Sequence, residues 1–249
     1  MYSIRQERIK DYIEQNNVVT IKQLQSLFPE VSLMTIHRDL DALEKSGSVV
    51  KFRGGAKSVR HLGDPEFNVR MRANNAGKNL IAGKALSLIQ PNASVFLDAS
   101  TTNLALAKSI PDISVNVFTT GPSIALELSR LQKSTITMCC GTLNHKNLAV
   151  SGQNTLQMLE NINIDLAFIG VSGCSVDAGF TCGTESDMLV KRMVIQKART
   201  SVLMCSREKL SCLMPYTFAT FRDVDYLISD EALPEAFVKA AQDSGVILL

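Results

Sequence analysis

The chain has 249 residues, 45% of them hydrophobic and 20% charged, so it is able to bury a sizeable core and is not compositionally disordered. It has no run of about 18 apolar residues that would span a membrane and no apolar secretory signal at its charged N-terminus, which favours a cytoplasmic protein. The net charge of +2 is unevenly divided, because residues 1–60 carry ten basic and seven acidic side chains, a balance of +3.

The cysteines and histidines give no sign of a metal site. None of the six cysteines forms a C-x-x-C pair, and the three histidines lie far apart in the chain. Zinc sites need closely spaced sulfur and nitrogen ligands. We therefore expect the cysteines to be mainly small buried side chains in a reducing compartment, and we expect no metal and no cofactor.

Three helices are predicted at the N-terminus. The first carries Ile9 and Ile13 on one face. Thr20 and Gln23 have the spacing of a capping box, which predicts the start of a second helix that Pro29 ends.

The third predicted helix has a cap, an apolar stripe and a stop. Ser32 is a suitable N-cap, and Ile36, Leu40 and Leu43 recur at the spacing of one buried helix face. Gly47 is expected to end this helix.

The third helix leaves a polar face opposite its apolar stripe, and residues 49–53 are then β-like, with Gly54 and Gly55 closing a basic hairpin. Three helices followed by a basic hairpin are typical of a winged helix-turn-helix, whose third helix enters the major groove while the wing contacts phosphates. The alternative is an ordinary solvated face. We predict a DNA-binding domain over residues 1–57. The candidate DNA contacts are Ser32, Thr35, His37, Arg38, Asp41, Lys51 and Arg53.

This segment resembles the DeoR family of bacterial transcriptional regulators. The positions that match the family pattern are Val31, Ser32, Thr35, Ile36, Arg38, Asp39, Leu40, Leu43, Gly47, Gly54, Gly55 and Ala56. The family usually has arginine where this chain has His37, and histidine lacks the guanidinium fork that reads guanine, so the operator sequence stays open. Asp39, which is acidic beside DNA, is expected to pair with Arg38 or to support the fold.

Residues 58–74 are predicted to be a linker, since Pro65 and polar residues interrupt the periodic patterns. Arg70 and Arg72 in this linker either lie in solvent or touch DNA. Over residues 75–249 apolar strands alternate with amphipathic helices, which indicates a mainly parallel sheet covered on both faces. The expected fold class is α/β, with a winged helix-turn-helix joined to a larger α/β domain.

Small polar residues follow several of the predicted strands. Ligands of open α/β sheets bind outside the carboxyl ends of the strands, and backbone N–H groups at a helix start favour phosphate. A single turn of this kind is usually just a helix cap, but together the turns predict a small-ligand site in which a lysine such as Lys209 or Lys78 neutralises an anion. The candidate effector-binding residues are Asp98, Ser100, Thr101, Thr102, Thr120, Gly141, Gly170 and Lys209.

This second half resembles the DeoR C-terminal sensor domain, which shares its fold with ribose-5-phosphate isomerase and the CoA transferases. The resemblance implies that a phosphorylated sugar or a related metabolite is the effector. Ser100, Thr120, Cys140 and Ser206 stand where the family usually has glycine, asparagine, glycine and aspartate. The identity of the effector is therefore open. Within the family, the linker and the run that begins at Asp98 are most similar to the branch that includes the fucose-operon regulator.

The sequence thus predicts a transcriptional regulator rather than an enzyme. The expected function is repression of a carbohydrate-utilisation operon, with operator DNA as partner, a phosphorylated metabolite as effector, and a homodimer or homotetramer as the working form, because paired half-sites call for an even number of DNA-binding domains. One alternative is a sugar-phosphate isomerase fused to a DNA-binding head, with no identifiable catalytic pair. Another is a regulator whose effector is not phosphorylated.

Overall fold

The computed structural model describes residues 3–16, 18–46, 48–52, 54–58 and 66–249. The chain divides into two compact units, an N-terminal unit of Met1–Asn74 and a sheet unit of Asn75–Leu249. Gly47, Arg53 and Pro65, on which parts of the sequence analysis depend, lie outside the described residues. Of the helices in the described ranges, none is long and apolar enough to cross a membrane.

The N-terminal unit combines helices with a small antiparallel sheet. Its helices are α1 (Ile4–Asn16), α2 (Ile21–Leu27), α3 (Leu33–Lys45) and α4 (Phe67–Arg72). Its strands are β1 (Val18–Thr20), β2 (Val49–Phe52) and β3 (Gly55–Ser58), in the order β1-β3-β2. The β2–β3 hairpin follows α3 directly, which is the helix–hairpin order of a winged helix-turn-helix.

The sequence signals for this unit act as expected. Thr20 and Gln23 form the reciprocal hydrogen bonds of a capping box at the start of α2. Ile9 and Ile13 of α1 are completely buried and share one apolar cluster with the buried residues of α2 and α3. Two elements were not predicted, namely strand β1 and helix α4, which falls within the segment interpreted as a linker.

Glycine is required where the hairpin turns and where β3 meets β1. Gly54 has φ +100°, a left-handed conformation that favours glycine. A Cβ on Gly55 would lie 2.3 Å from the carbonyl oxygen of Val19. Gly54 thus permits the turn, and Gly55 permits the close approach of β3 to β1.

The sheet unit is built around seven parallel strands in the order β15-β14-β12-β9-β4-β5-β6. These strands are β4 (Ser94–Leu97), β5 (Asn116–Thr119), β6 (Thr135–Met138), β9 (Ile164–Gly170), β12 (Ala198–Met204), β14 (Tyr226–Ile228) and β15 (Ile247–Leu248). The helices of this unit are α5 (Asn75–Leu86), which precedes β4, and α6 (Thr101–Ser109), α7 (Pro122–Leu128), α8 (Gln153–Glu160), α9 (Glu185–Lys197) and α10 (Glu235–Ser244), which lie between the strands in the chain. The predicted α/β class is confirmed.

Both faces of the central strand β9 are covered. Ala167 and Ile169 belong to the same apolar cluster as Val190 and Val194 of α9, and Phe168, which points to the opposite face, is also completely buried. A parallel strand buried on both faces reads as a continuous apolar run, which is why its position was predictable from the sequence.

Two smaller antiparallel sheets were not predicted. One pairs β10 (Gly173–Ser175), β11 (Gly179–Cys182) and β13 (Tyr216–Ala219) in that order, and the other pairs β7 (Thr142–Leu143) with β8 (Val150–Ser151). These strands are only two to four residues long and are rich in glycine, threonine and cysteine, so they carry no clear alternation.

Most of the cysteines are buried and all are free. Cys139, Cys174, Cys182 and Cys205 are buried, whereas Cys140 is exposed and Cys212 is half-buried. Desolvation in the core raises the pKa of the Cys139 thiol to about 11 and that of Cys174 to about 12. These thiols therefore stay protonated and act as small apolar side chains.

Candidate DNA-binding face and strand-end site

The two faces of α3 differ in exposure. Ile36 and Leu40 are completely buried, whereas Met34 is 70% exposed and Arg38 and Asp41 are also exposed. Residues at i, i+4 and i+7 lie on the same side of a helix, so Met34, Arg38 and Asp41 form one outward stripe. Predicted DNA contacts at positions 38 and 41 thus point away from the core.

The start of α3 is fixed by its own side chains. The Thr35 backbone N–H donates to Ser32 Oγ at 3.2 Å, and the two hydroxyl oxygens lie 2.9 Å apart. Ser32 is exposed and Thr35 and His37 are half-buried, so these three predicted contacts all retain surface. The cap sets where the helix, and therefore its outward stripe, begins.

Asp39 supports the fold and does not pair with Arg38. It is 4% exposed, and its carboxylate accepts from Arg5 Nε at 2.6 Å, Arg5 Nη2 at 3.3 Å and Gln6 Nε2 at 3.0 Å. This bidentate pair ties α3 to α1. Within the described part of the chain, the Arg38 side chain makes no hydrogen bond or ion pair, so its five N–H donors face solvent.

The β2–β3 hairpin, which is the wing, contacts the second half of α3. The ammonium of Lys51 forms an ion pair with Asp41, and the Lys51 backbone N–H donates to Glu44 Oε1 at 2.8 Å. The hydrogen bond from Lys51 lowers the pKa of the Asp41 carboxyl. Lys51, predicted to contact phosphate, is therefore held by Asp41 in this structure, and Arg53 lies outside the described residues.

The predicted effector residues of the sheet unit follow neighbouring strands. Asp98, Ser100, Thr101 and Thr102 follow β4, Thr120 follows β5, Gly141 follows β6, Gly170 ends β9, and Lys209 lies beyond β12. Because these strands are parallel neighbours in the sheet, their carboxyl ends share one edge. The candidate effector residues therefore lie along one edge of the sheet, although only some of them contact one another.

Asp98, Ser100 and Gly170 are in direct contact. The Gly170 N–H donates to Asp98 Oδ2 at 2.9 Å, and the Ser100 N–H donates to Asp98 Oδ1 at 3.0 Å. A Cβ on Gly170 would lie 2.3 Å from Ser100 Cβ. Asn103 Nδ2 also donates to Asp98 Oδ1, at 2.7 Å. Asp98 is 3% exposed, so its oxygens serve the chain itself.

A buried lysine completes this group. The Lys191 ammonium, on α9, donates to the Gly170 carbonyl at 2.7 Å and lies 3.3 Å from Asp98 Oδ2 and 3.2 Å from Asp187 Oδ2. It also lies 5.0 Å from the centre of the Phe218 ring. Lys191 is 4% exposed, and two carboxylates offset the cost of burying its charge.

Thr120 and Gly141 both adjoin β8. The Val150 N–H donates to the Thr120 carbonyl at 2.8 Å. A Cβ on Gly141 would lie 2.6 Å from the Ser151 carbonyl oxygen and 2.3 Å from Thr155 Oγ1. The short β7–β8 hairpin thus packs against the ends of β5 and β6.

The remaining candidates differ in access. Thr101 is 7% exposed and Thr102 is half-buried at the start of α6, while Lys209 has a half-buried side chain whose ammonium lies 3.7 Å from Glu208 Oε1. Among the described residues there is no group of three or more His, Cys, Asp or Glu side chains that could hold a metal ion.

Both units match known domain families. Residues 5–61 match the DeoR-like helix-turn-helix domain, and residues 73–231 match the DeoR C-terminal sensor domain. The chain belongs to the DeoR family of transcriptional regulators. The family predicted from the sequence is therefore confirmed.

DeoR-family relatives match over nearly the whole chain. The chain is 33% identical over 242 residues to the HTH-type transcriptional repressor GlcR of Bacillus subtilis, covering 97% of this chain and 93% of the relative. It is 28% identical over 235 residues to the L-fucose operon activator of Escherichia coli, covering 93% of this chain and 96% of the relative. A solved ribose 5-phosphate isomerase A from Methanocaldococcus jannaschii is 14% identical, covers 55% of each chain and has a TM-score of 0.41. As a member of this family of regulators, the chain is a DNA-binding transcriptional regulator rather than an enzyme, as predicted.

Sequence reasoning missed three residues that build these surfaces of the DeoR-family chain. Arg5 and Lys191 are the cations that pair with Asp39 and Asp98, and Asn103 joins Asp98 to the Phe168 carbonyl. The available signal for Lys191 was its position four residues after Asp187, on a helix whose neighbouring Val190 and Val194 face the core. For Arg5 no local signal exists, because Asp39 is 34 residues away.

Proposed function

We propose that this regulator represses a carbohydrate-utilisation operon as a homodimer or homotetramer in the cytoplasm. The outward stripe of α3 and the wing contact double-stranded operator DNA, and a phosphorylated sugar or related metabolite at the strand-end site releases it. The observation that carries the proposal is the free, exposed guanidinium of Arg38 on a helix whose opposite face is completely buried.

The DNA contacts follow from this arrangement. The buried stripe and the Asp39–Arg5 pair fix the orientation of α3, so Arg38 is presented at a defined position where its N–H fork fits O6 and N7 of guanine. His37, beside it, can donate a ring N–H to a base edge or a phosphate. Ser32 and Thr35 at the start of the helix suit phosphate oxygens. Lys51 contacts phosphate by exchanging its Asp41 partner for the DNA backbone.

The effector contacts follow from access at the strand ends. Asp98 acts as a positioning residue, since its oxygens accept from the chain itself. An anion is favoured at the start of α6, where residues 100–102 present hydroxyls and backbone N–H groups. Thr120 and the backbone at Gly141 line the same edge of the sheet. Lys209 supplies the nearby cation. A bound metabolite shifts the protein between arrangements that fit and misfit paired half-sites, through its different affinity for each.

The relatives support the regulatory details. GlcR of Bacillus subtilis is named a repressor, which supports repression, and the relative from Escherichia coli is named for the L-fucose operon, which supports a carbohydrate pathway. A symmetric operator read by paired heads is the usual arrangement for helix-turn-helix proteins.

The DNA half of the proposal is tested by selecting bound fragments from genomic DNA and measuring affinity for the winning duplex. Arg38→Ala is expected to lower specific affinity by about 5- to 160-fold, since a bidentate base contact contributes about 1–3 kcal/mol, without changing the thermal melt. Arg199→Ala, which removes an exposed arginine of the sheet unit, is the matched control. Unchanged affinity of Arg38→Ala would refute this role.

The effector half is tested by thermal shift with ribose 5-phosphate, glucose 6-phosphate and fructose 6-phosphate, each beside its free sugar. A ligand at about 100 times its Kd adds about 2.7 kcal/mol of stability and raises Tm by several degrees. Lys209→Gln should reduce the shift, whereas the exposed Lys239→Gln should not. Stabilisation by free sugars alone would favour the alternative of a non-phosphorylated effector.

A further inference from the structure

Met34 is an apolar side chain placed on the DNA-facing surface. It is 70% exposed and lies in the first turn of α3, whose start is fixed by the Ser32 cap. It shares the outward stripe with Arg38 and Asp41, directly opposite the buried Ile36 and Leu40. A long apolar side chain at this position contributes nothing to the core of the unit.

We infer that Met34 is a specificity-determining residue that contacts the 5-methyl group of a thymine in each operator half-site. This inference rests on the proposed DNA contact of α3. The N-terminal residues of a recognition helix reach base edges, and Met34 is the second residue of this helix.

The chemistry of the side chain selects the base. A thioether has no N–H or O–H to donate and is a weak acceptor, so it cannot replace the water lost from the polar edges of guanine, adenine or cytosine. The thymine methyl is the apolar group that the major groove presents. Burying the methionine terminus against it removes apolar surface of both partners from water.

The helix geometry also locates the thymine. Met34 and Arg38 are four residues apart, which is about 6 Å along a helix that rises about 1.5 Å per residue. Base pairs are spaced about 3.4 Å apart along the duplex. The thymine read by Met34 therefore lies within about two base pairs of the base read by Arg38.

The test uses the duplex selected by the wild-type protein, in which each thymine is replaced singly by deoxyuridine, the same base without its methyl group. Wild-type affinity should fall about fourfold at one position per half-site, the factor that corresponds to about 0.8 kcal/mol for one buried methyl-sized group. Met34→Ala should lower the affinity for the thymine duplex by about fourfold or more. Its affinity should not fall further when deoxyuridine replaces the thymine at that position.

Two further variants separate the contact from general effects. Met34→Gln keeps the length of the side chain and should also lose the sensitivity to the methyl group. Met138→Ala removes a methionine that is 48% exposed on β6 of the sheet unit and should retain wild-type sensitivity. Circular dichroism melts of each variant confirm folding, and alanine at an exposed helix position is favourable.

The outcomes distinguish the inference from the function on which it rests. If wild type and Met34→Ala lose the same affinity at every deoxyuridine position, the thymine contact is refuted while DNA binding stands. If the wild-type protein selects no duplex at all, the proposed function itself fails, and the inference fails with it.

Discussion

Two buried aspartates, Asp39 in the N-terminal unit and Asp98 in the sheet unit, support the two candidate sites in different ways. Asp39 is 4% exposed, but the side chain of its cation, Arg5, is 37% exposed. Asp98 is 3% exposed, and its cation, Lys191, is 5% exposed at the side chain. Water can solvate Arg5 if the first pair breaks, whereas the second pair has no such substitute. Helix α3 is therefore held by a contact that water can replace, whereas the contact at Asp98 has no replacement inside the fold.

The largest effect is expected for Lys191→Met. The change leaves Asp98 without its cation and the Gly170 carbonyl without its ammonium donor, and breaking a buried pair costs about 3–5 kcal/mol. Urea unfolding of the sheet unit followed by circular dichroism measures this loss. Lys239→Met, at an exposed position of α10, should stay within about 0.5 kcal/mol of wild type. A loss below about 1 kcal/mol for Lys191→Met would show that the pair is not the support described.

Arg5→Ala should cost less, about 1–2 kcal/mol, because Gln6 still donates to Asp39 and water reaches the vacated side. The unfolding free energy of the N-terminal unit is the measurement, and Lys22→Ala, at an exposed position of α2, is the control. If Arg5→Ala proves as costly as Lys191→Met, exposure of the cation does not explain the difference between the two aspartates.

A smaller effect is expected at the wing. Asp41→Asn releases the Lys51 ammonium and should raise affinity for non-specific DNA, with a salt dependence steeper by about one unit of slope, as expected for one added phosphate contact. Glu44→Gln removes the same charge from the same helix but accepts only from the Lys51 backbone, so it should raise the affinity less. Equal slopes for the two variants would mean that Asp41 does not restrain Lys51.

The smallest expected effect is a dependence on pH. The Lys51 hydrogen bond lowers the pKa of Asp41 in the folded state, so the pair stabilises the fold above the unfolded-state pKa of about 4 and loses this contribution as the pH falls through the lower folded-state pKa. The stability difference between wild type and Asp41→Asn, from urea midpoints, should be constant near neutral pH and shrink below about pH 4. A difference that shrinks between pH 6 and 8 would contradict the assignment.

Features that depend on neighbouring residues were predictable from the sequence, whereas ion pairs between residues far apart in the chain were not. The capping box at Thr20 depends on a few neighbouring residues, and so do the apolar runs of β4 and β9. All three were therefore predicted from the sequence. The Asp98–Lys191 pair depends on two elements that only the folded sheet brings together. The residues that follow the parallel strands were therefore predictable, but the partners of Asp98 were not.

The contact between Ser100 and Gly170 means that each of these positions restricts which residue the other can hold during evolution. Ser100 stands where the DeoR family usually has glycine. Gly170 has no room for a Cβ beside the Ser100 side chain. A side chain is thus accommodated at only one of the two positions. Substitutions at 100 and 170 are therefore expected to occur as a compensating pair across homologues.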